Sequence, residues 1–124
     1  MLLYEKLSEK VIKAMFTVHN ELGCGFMEKV YQEALAIQLA EMDIPFEREK
    51  EMTVCYHGRE LECKFVADFV VDNKIIIELK AVKKMDTVFA AQLINYLKIT
   101  GIKIGLLANF GETRLNFQRI ACFK

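Results

Sequence analysis

Tryptophan is absent from this 124-residue sequence, proline occurs once, at Pro45, and no apolar run approaches the ~20 residues of a membrane-spanning helix. Neither sign of charge is in excess. The 17 basic and 17 acidic side chains cancel to a formal net charge of zero, so no global field draws the chain toward a polyanion. Any nucleic-acid partner must therefore be gripped by a local cluster of cations. Repeats, low-complexity tracts and Pro/Gly-rich linkers are missing, which excludes solenoids and leaves residues 1–124 as one expected domain. Cys24, Cys55, Cys63 and Cys122 contain no C-x-x-C pair, and His19 and His57 lack metal-ligand spacing, which argues against a zinc site. A two-residue turn between Cys55 and Cys63 would set them on opposite faces, which disfavours a disulfide. The opening Met1-Leu2-Leu3-Tyr4-Glu5-Lys6 lacks the charged-then-apolar order of a secretory signal. A cytoplasmic, reducing location is the expectation.

What is present describes a folded protein: 53% hydrophobic and 27% charged residues. Leu7, Val11, Met15, Val18 and Leu22 recur at three- and four-residue steps and predict a helix over about 4–21, broken by Gly23-Cys24-Gly25. Val30, Ala34, Leu35 and Leu39 predict a second helix from about Glu28 to Met42, ending before Pro45, which biases Ile44 away from helical geometry. From Phe46 the period falls to two. Met52, Val54 and Tyr56 make one apolar row, and Leu61, Cys63, Phe65 and Ala67 another, about a His57-Gly58-Arg59 turn. Asp72-Asn73 turns the chain into Lys74–Lys80, whose Ile75-Ile76-Ile77 run reads as a strand buried on both faces. A third helix starts at an Asp86 N-cap, runs to about Ile99 and turns Phe89, Leu93, Tyr96 and Leu97 inward. Strands over Ile102–Asn109 and Arg114–Cys122 complete the order ααβββαβ(β). The helix between the third and fourth strands calls for parallel pairing, hence a mixed sheet in an α/β (α+β mixed) fold.

The chemistry concentrates in Val66–Lys80. Glu78 and Lys80 are two apart on a strand and emerge on one face. Two carboxylates and an ammonium at strand ends can hold a divalent cation and a water beside a phosphate. The competing reading of Glu78 and Lys80 is an exposed strand-end ion pair, disfavoured because burying charge without a purpose is costly. Asp68 carries a geometric condition. A two-residue turn at Asp72-Asn73 sends it to the face opposite Glu78, whereas a three-residue loop or a bulge brings the two carboxylates together.

Ala67-Asp68 followed by Glu78-Leu79-Lys80 resembles the motif of the PD-(D/E)xK nuclease superfamily, whose core is a helix, a three-strand meander, a helix and a further strand. Gly25-Phe26-Met27-Glu28-Lys29-Val30-Tyr31 matches the pattern that names the GxxExxY proteins, a bacterial branch resembling recombination-type exonucleases. Gln92-Leu93-Ile94-Asn95-Tyr96 matches the Gln-x-x-x-Tyr of that exonuclease-like branch. The E-x-K tripeptide alone is weak; four elements in the right order over about Leu22–Asn109 are specific.

The resemblance implies a restriction-endonuclease-like core and a metal-dependent nuclease that hydrolyses phosphodiester bonds through a metal-activated water. Mg²⁺ or Mn²⁺ is the implied cofactor, and nucleic acid, DNA or RNA with DNA favoured, the implied partner. Asp68, Glu78, Glu28 and the Leu79 backbone carbonyl are the implied metal ligands. Lys80, with Glu78 and Asp68, would be catalytic, orienting or helping to deprotonate the attacking water. Without the resemblance, Glu28 reads better as a carboxylate favouring a helix N-terminus. Gln92, Tyr96, Tyr31, Lys83 and Lys84 are candidates for substrate contact; core packing competes for both tyrosines, and a solvated connection for the lysines. A catalytically silent nucleic-acid-binding or protein-interaction module with the same fold is the alternative, favoured by the neutral charge. A third reading is a nuclease that acts as a homo-oligomer or with a partner protein supplying grip on its substrate.

Overall fold

A computed structural model describes residues 2–123. Helices α1 (Glu5–Leu22) and α2 (Glu28–Glu41) precede strands β1 (Phe46–Tyr56), β2 (Arg59–Val71) and β3 (Ile75–Lys80). Helix α3 (Thr87–Thr100) leads to β4 (Ile104–Asn109) and β5 (Asn116–Ala121). The strands form one sheet in the order β1-β2-β3-β4-β5, in which only the β3–β4 pair is parallel. The expected parallel pairing across α3 is thus present. Among the described residues no helix is long and apolar enough to cross a membrane.

The sheet is covered on both faces, and β3 shows why its isoleucines run without alternation. Ile75 and Ile77 join Phe69, Val71, Leu79, Ile104 and Leu106 in a core with Val11 and Met15 of α1 and Leu35 and Leu39 of α2. Ile76 faces the other way, with Val70 and Leu107, against Leu93 and Leu97 of α3. All three isoleucines are fully buried, each stabilising the fold by roughly 1.5–3 kcal/mol. Asp86 caps α3 by accepting the Val88 N–H (3.0 Å), and Gly101 ends it in the left-handed conformation that glycine adopts without strain.

Two local features place the site. The β2–β3 connection contains three residues, Asp72 to Lys74, because Val71 pairs with Ile75; Asp72 and Asn73 both have positive φ. The second feature lies in the β1–β2 ribbon, whose register holds on both sides of Glu49 and Asp68 but records no pair between them. Glu49 there has φ 51°, the left-handed region. The ribbon changes faces at this point: Phe69 and Val71 pack toward α1 and α2, whereas Phe65 and Ala67 pack toward α3. Asp68 occupies the switch.

The outer half of the ribbon departs from the expected pair of apolar rows. Tyr56, Leu61 and Val66 are exposed, as are Cys55 and Cys63. The ribbon outruns the β3–β4 platform here, so alternation finds nothing to pack against.

Candidate active site

Phe69 is the last β2 residue paired with β3, opposite Ile77. One step on, Asp68 and Glu78 face each other where the two strands part. The three-residue loop therefore sets the register that brings the carboxylates together. The Leu79 N–H, which a continued ladder would have paired, donates instead to Asp68 Oδ2 (2.8 Å). A strand residue's N–H and C=O point to the same side, so the Leu79 carbonyl opens into the same gap. Asp68 Oδ1 accepts from Gln32 Nε2 of α2 (2.9 Å), and Gln32 Oε1 accepts from Arg48 Nε of β1 (2.9 Å).

Glu78 is the most perturbed acid of the site. Burial, then the Asp68 charge and a hydrogen bond between the two side chains, push its carboxyl up to about 8; Lys80 opposes the shift. Its Oε1 is buried and has no hydrogen-bond partner. A buried, unpartnered carboxylate oxygen beside a second carboxylate is what a hard divalent cation satisfies, so the donor set fits such an ion.

Glu28 stands in the first turn of α2, and its carboxyl is raised by partial burial, then by Asp68, with Lys80 lowering it. It thus lies within the field of Asp68 and Lys80. Among the described residues, however, no three His, Cys, Asp or Glu side chains form a group able to hold one ion. Of the three expected carboxylates, Asp68 and Glu78 meet directly, and Glu28 stands near them at the start of α2.

Lys80 lies on the α3 face with Ile76 and Glu78. Its Nζ is 4.5 Å from the Phe89 ring centroid, and it forms no ion pair among the described residues. Tyr96 is half-buried and stacks on Phe65 with centroids 3.9 Å apart; burial and then the Glu78 charge raise its hydroxyl. Gln92 is exposed on the same helix, and Lys83 and Lys84 are exposed beyond β3. Tyr31 is corrected from its expected role. It is fully buried, stacks on Phe110 at 4.9 Å, and its hydroxyl donates to Gly23 O (2.6 Å) and accepts from Phe26 N–H (3.2 Å). It stitches the α1–α2 turn, with no surface left for substrate.

With this geometry in place, a family model of the PD-(D/E)XK nuclease superfamily matches residues 5–120. The chain belongs to the PD-(D/E)XK nuclease superfamily. A solved structure described as the crystal structure of SSO0001 shares the fold, with a TM-score of 0.60 over 95% of this chain at 20% identity. The chain spans 59% of that protein's length. Comparison with curated proteins gave no match. The restriction-endonuclease-like fold is thus shown, and nucleases of the PD-(D/E)XK superfamily generally use divalent metals.

Three polar positions of this PD-(D/E)XK chain escaped the sequence reading. Gln32 had a usable signal: it is four residues after Glu28 and shares its helix face. Arg48 and Asn109 had none. Fully buried Asn109, paired with Lys80 across β3–β4, accepts from Val82 N–H (3.0 Å) and Gly111 N–H (3.0 Å). It donates to Val82 O (2.9 Å) and Glu112 Oε2 (2.8 Å). It fastens the chain just past Lys80 to the β4–β5 loop. Gly111 lets the two backbones approach: a Cβ there would lie 2.4 Å from Val82 O.

Proposed function

We propose that this chain is a divalent-metal-dependent nuclease of the GxxExxY kind that hydrolyses phosphodiester bonds, with DNA as the expected substrate and Mg²⁺ or Mn²⁺ as cofactor. One observation carries the reading: Asp68 and Glu78 meet at the parting of β2 and β3, with an unpartnered buried oxygen on Glu78 and Lys80 on the same face. A strand-end ion pair has no use for that arrangement, since Lys80 is bonded to neither carboxylate.

In this reading Asp68, Glu78 and the Leu79 carbonyl would hold the ion, with Glu28 beside them as the further expected ligand. When bound, the ion supplies positive charge that polarises a phosphodiester and acidifies a neighbouring water. Glu78 would give up its proton in that state. Lys80 donates a hydrogen bond to the attacking water or to a phosphate oxygen as charge develops there. Packing over Phe89 restricts the swing of its ammonium. Gln92 and Tyr96 line the α3 side and contact the nucleotide. Lys83 shares a pocket of about 380 Å³ with Glu112, Thr113 and Arg114 of the β4–β5 connection, and with Arg114 would supply local phosphate grip to a chain with no net charge.

The test is incubation of pure protein with labelled DNA and RNA, single- and double-stranded, with Mg²⁺, Mn²⁺ or EDTA. Cleavage of DNA that needs the metal and falls by on the order of 10²–10⁴-fold in Lys80→Ala is the expected result. Cleavage that persists unchanged in Lys80→Ala and Glu78→Ala belongs to a contaminant. Absence of cleavage together with metal-independent nucleic-acid binding would favour the catalytically silent module.

A further inference from the structure

We infer that Gln32 is a positioning residue for Asp68, and that Arg48 fixes which end of the Gln32 amide faces that carboxylate. The inference rests on Asp68 and Glu78 holding a divalent ion. Gln32 is 5% exposed, so both ends of its amide need partners within the protein. Arginine only donates, and its Nε is bonded to the Gln32 amide, so the atom it meets is the carbonyl oxygen. The amide nitrogen is thereby turned to Asp68 Oδ1. Asp68 then has one N–H on each oxygen, Gln32 on Oδ1 and Leu79 on Oδ2, and its remaining lone pairs stay open for a cation. Without Arg48 the buried Gln32 carbonyl oxygen loses its donor, and the amide is held against Asp68 at one end only.

The relay spans three elements. Arg48 lies one residue before the left-handed Glu49, at the point where the ribbon changes faces, so its side chain leaves β1 toward α2. Its Nη2 also stands 3.8 Å from Glu33 Oε1, a partly exposed contact that adds little. Gln32 reaches from α2 past the edge at which β2 and β3 separate. Groups that orient a metal-binding carboxylate this way usually alter affinity by about 10- to 100-fold when removed.

A purely structural amide would change stability and leave metal affinity alone. The discriminating experiment measures Mn²⁺ affinity by the EPR signal of free ion for the wild type, Gln32→Leu, Arg48→Met and the double variant. Glu78→Gln is the control, and thermal unfolding in EDTA confirms that each protein is folded. The expected result is Mn²⁺ binding about 10- to 100-fold weaker in Gln32→Leu, weaker also in Arg48→Met, and no weaker in the double variant than in Gln32→Leu. Should Gln32→Leu not fold, the partly exposed Arg48→Met carries the test by itself. Wild-type affinity in every folded variant overturns the inference while leaving the metal site standing. Additive losses in the double variant overturn the relay through Arg48. Wild-type protein that binds no Mn²⁺, or binds it equally in Glu78→Gln, overturns the metal site and this inference together.

Discussion

Asp68 lies across from Glu78 one step past the last β2–β3 pair, Phe69 with Ile77, and its carboxylate takes the Leu79 N–H that a longer ladder would have used. The pair exists because the sheet stops there. Had the ladder continued, that N–H would have met a main-chain carbonyl, and the carboxylate would have lost its anchor.

The proximity has a consequence for stability against pH. Burial beside Asp68 pushes the Glu78 carboxyl up to about 8 in the folded protein, against the ordinary 4.5 of an exposed glutamate. A group whose folded pKa is raised contributes stability that is fully present below the unfolded value and is lost as pH rises through the folded value. In EDTA the protein should therefore lose stability between pH 4.5 and pH 8, by about 1.4 kcal/mol for each pH unit within that window at the upper limit. Urea unfolding across pH 5–9 checks this. Glu78→Gln should flatten the profile and be the more stable protein at pH 8; parallel profiles would remove the buried, proton-bearing carboxyl from the picture.

Divalent metal should reverse that balance. Binding requires Glu78 ionised, so at pH 7 the ion displaces close to one proton, and affinity rises up to about tenfold per pH unit below pH 8. Calorimetry of Mn²⁺ binding in two buffers of different ionisation enthalpy counts the protons. Binding without proton release would mean that the ion sits elsewhere.

The left-handed backbone of Glu49 gives a prediction that does not involve metal. A non-glycine residue in this region costs roughly 1–2 kcal/mol, and a β-branched side chain tolerates it less well. Glu49→Val should destabilise the protein, while Glu49→Gly should be near neutral, because relief of strain offsets loss of the exposed Lys29 ion pair. Denaturant midpoints of the two variants provide the comparison.

Gly111 is required by space rather than by φ. A methyl group there would press on the Val82 backbone, which cannot swing aside as a side chain would. Gly111→Ala should cost about 1–3 kcal/mol and displace the segment that follows Lys80. A lowered melting temperature and amide shifts at Ala81–Lys84 in NMR spectra are the expected signs.

Much of the fold was legible because its signals were local. Three adjacent isoleucines marked a strand buried on both faces, Asp86 marked the start of α3, and a helix between β3 and β4 required parallel pairing. Asp68, Glu78 and Lys80 stood out by residue type, and the turn between them could be named as the deciding variable. The sequence could not choose between a two- and a three-residue turn at Asp72-Asn73, since both tolerate those residues. Nor could it foresee that Glu49 would adopt positive φ inside a strand, where a glutamate gives no hint of it. Gln32, Arg48 and Asn109 act through partners 16 to 36 positions away, a separation that no periodicity reports. Tyr31 was misplaced for a related reason: its motif position suggested the site, while its ring and hydroxyl belong to the turn behind it.

Crystals soaked in Mn²⁺ and measured at the manganese absorption edge test the metal centre most directly. An anomalous peak between the Asp68 and Glu78 carboxylates, lost in crystals of Glu78→Gln, is the predicted result. A peak bound elsewhere, or none at millimolar Mn²⁺ and pH 8, would contradict it.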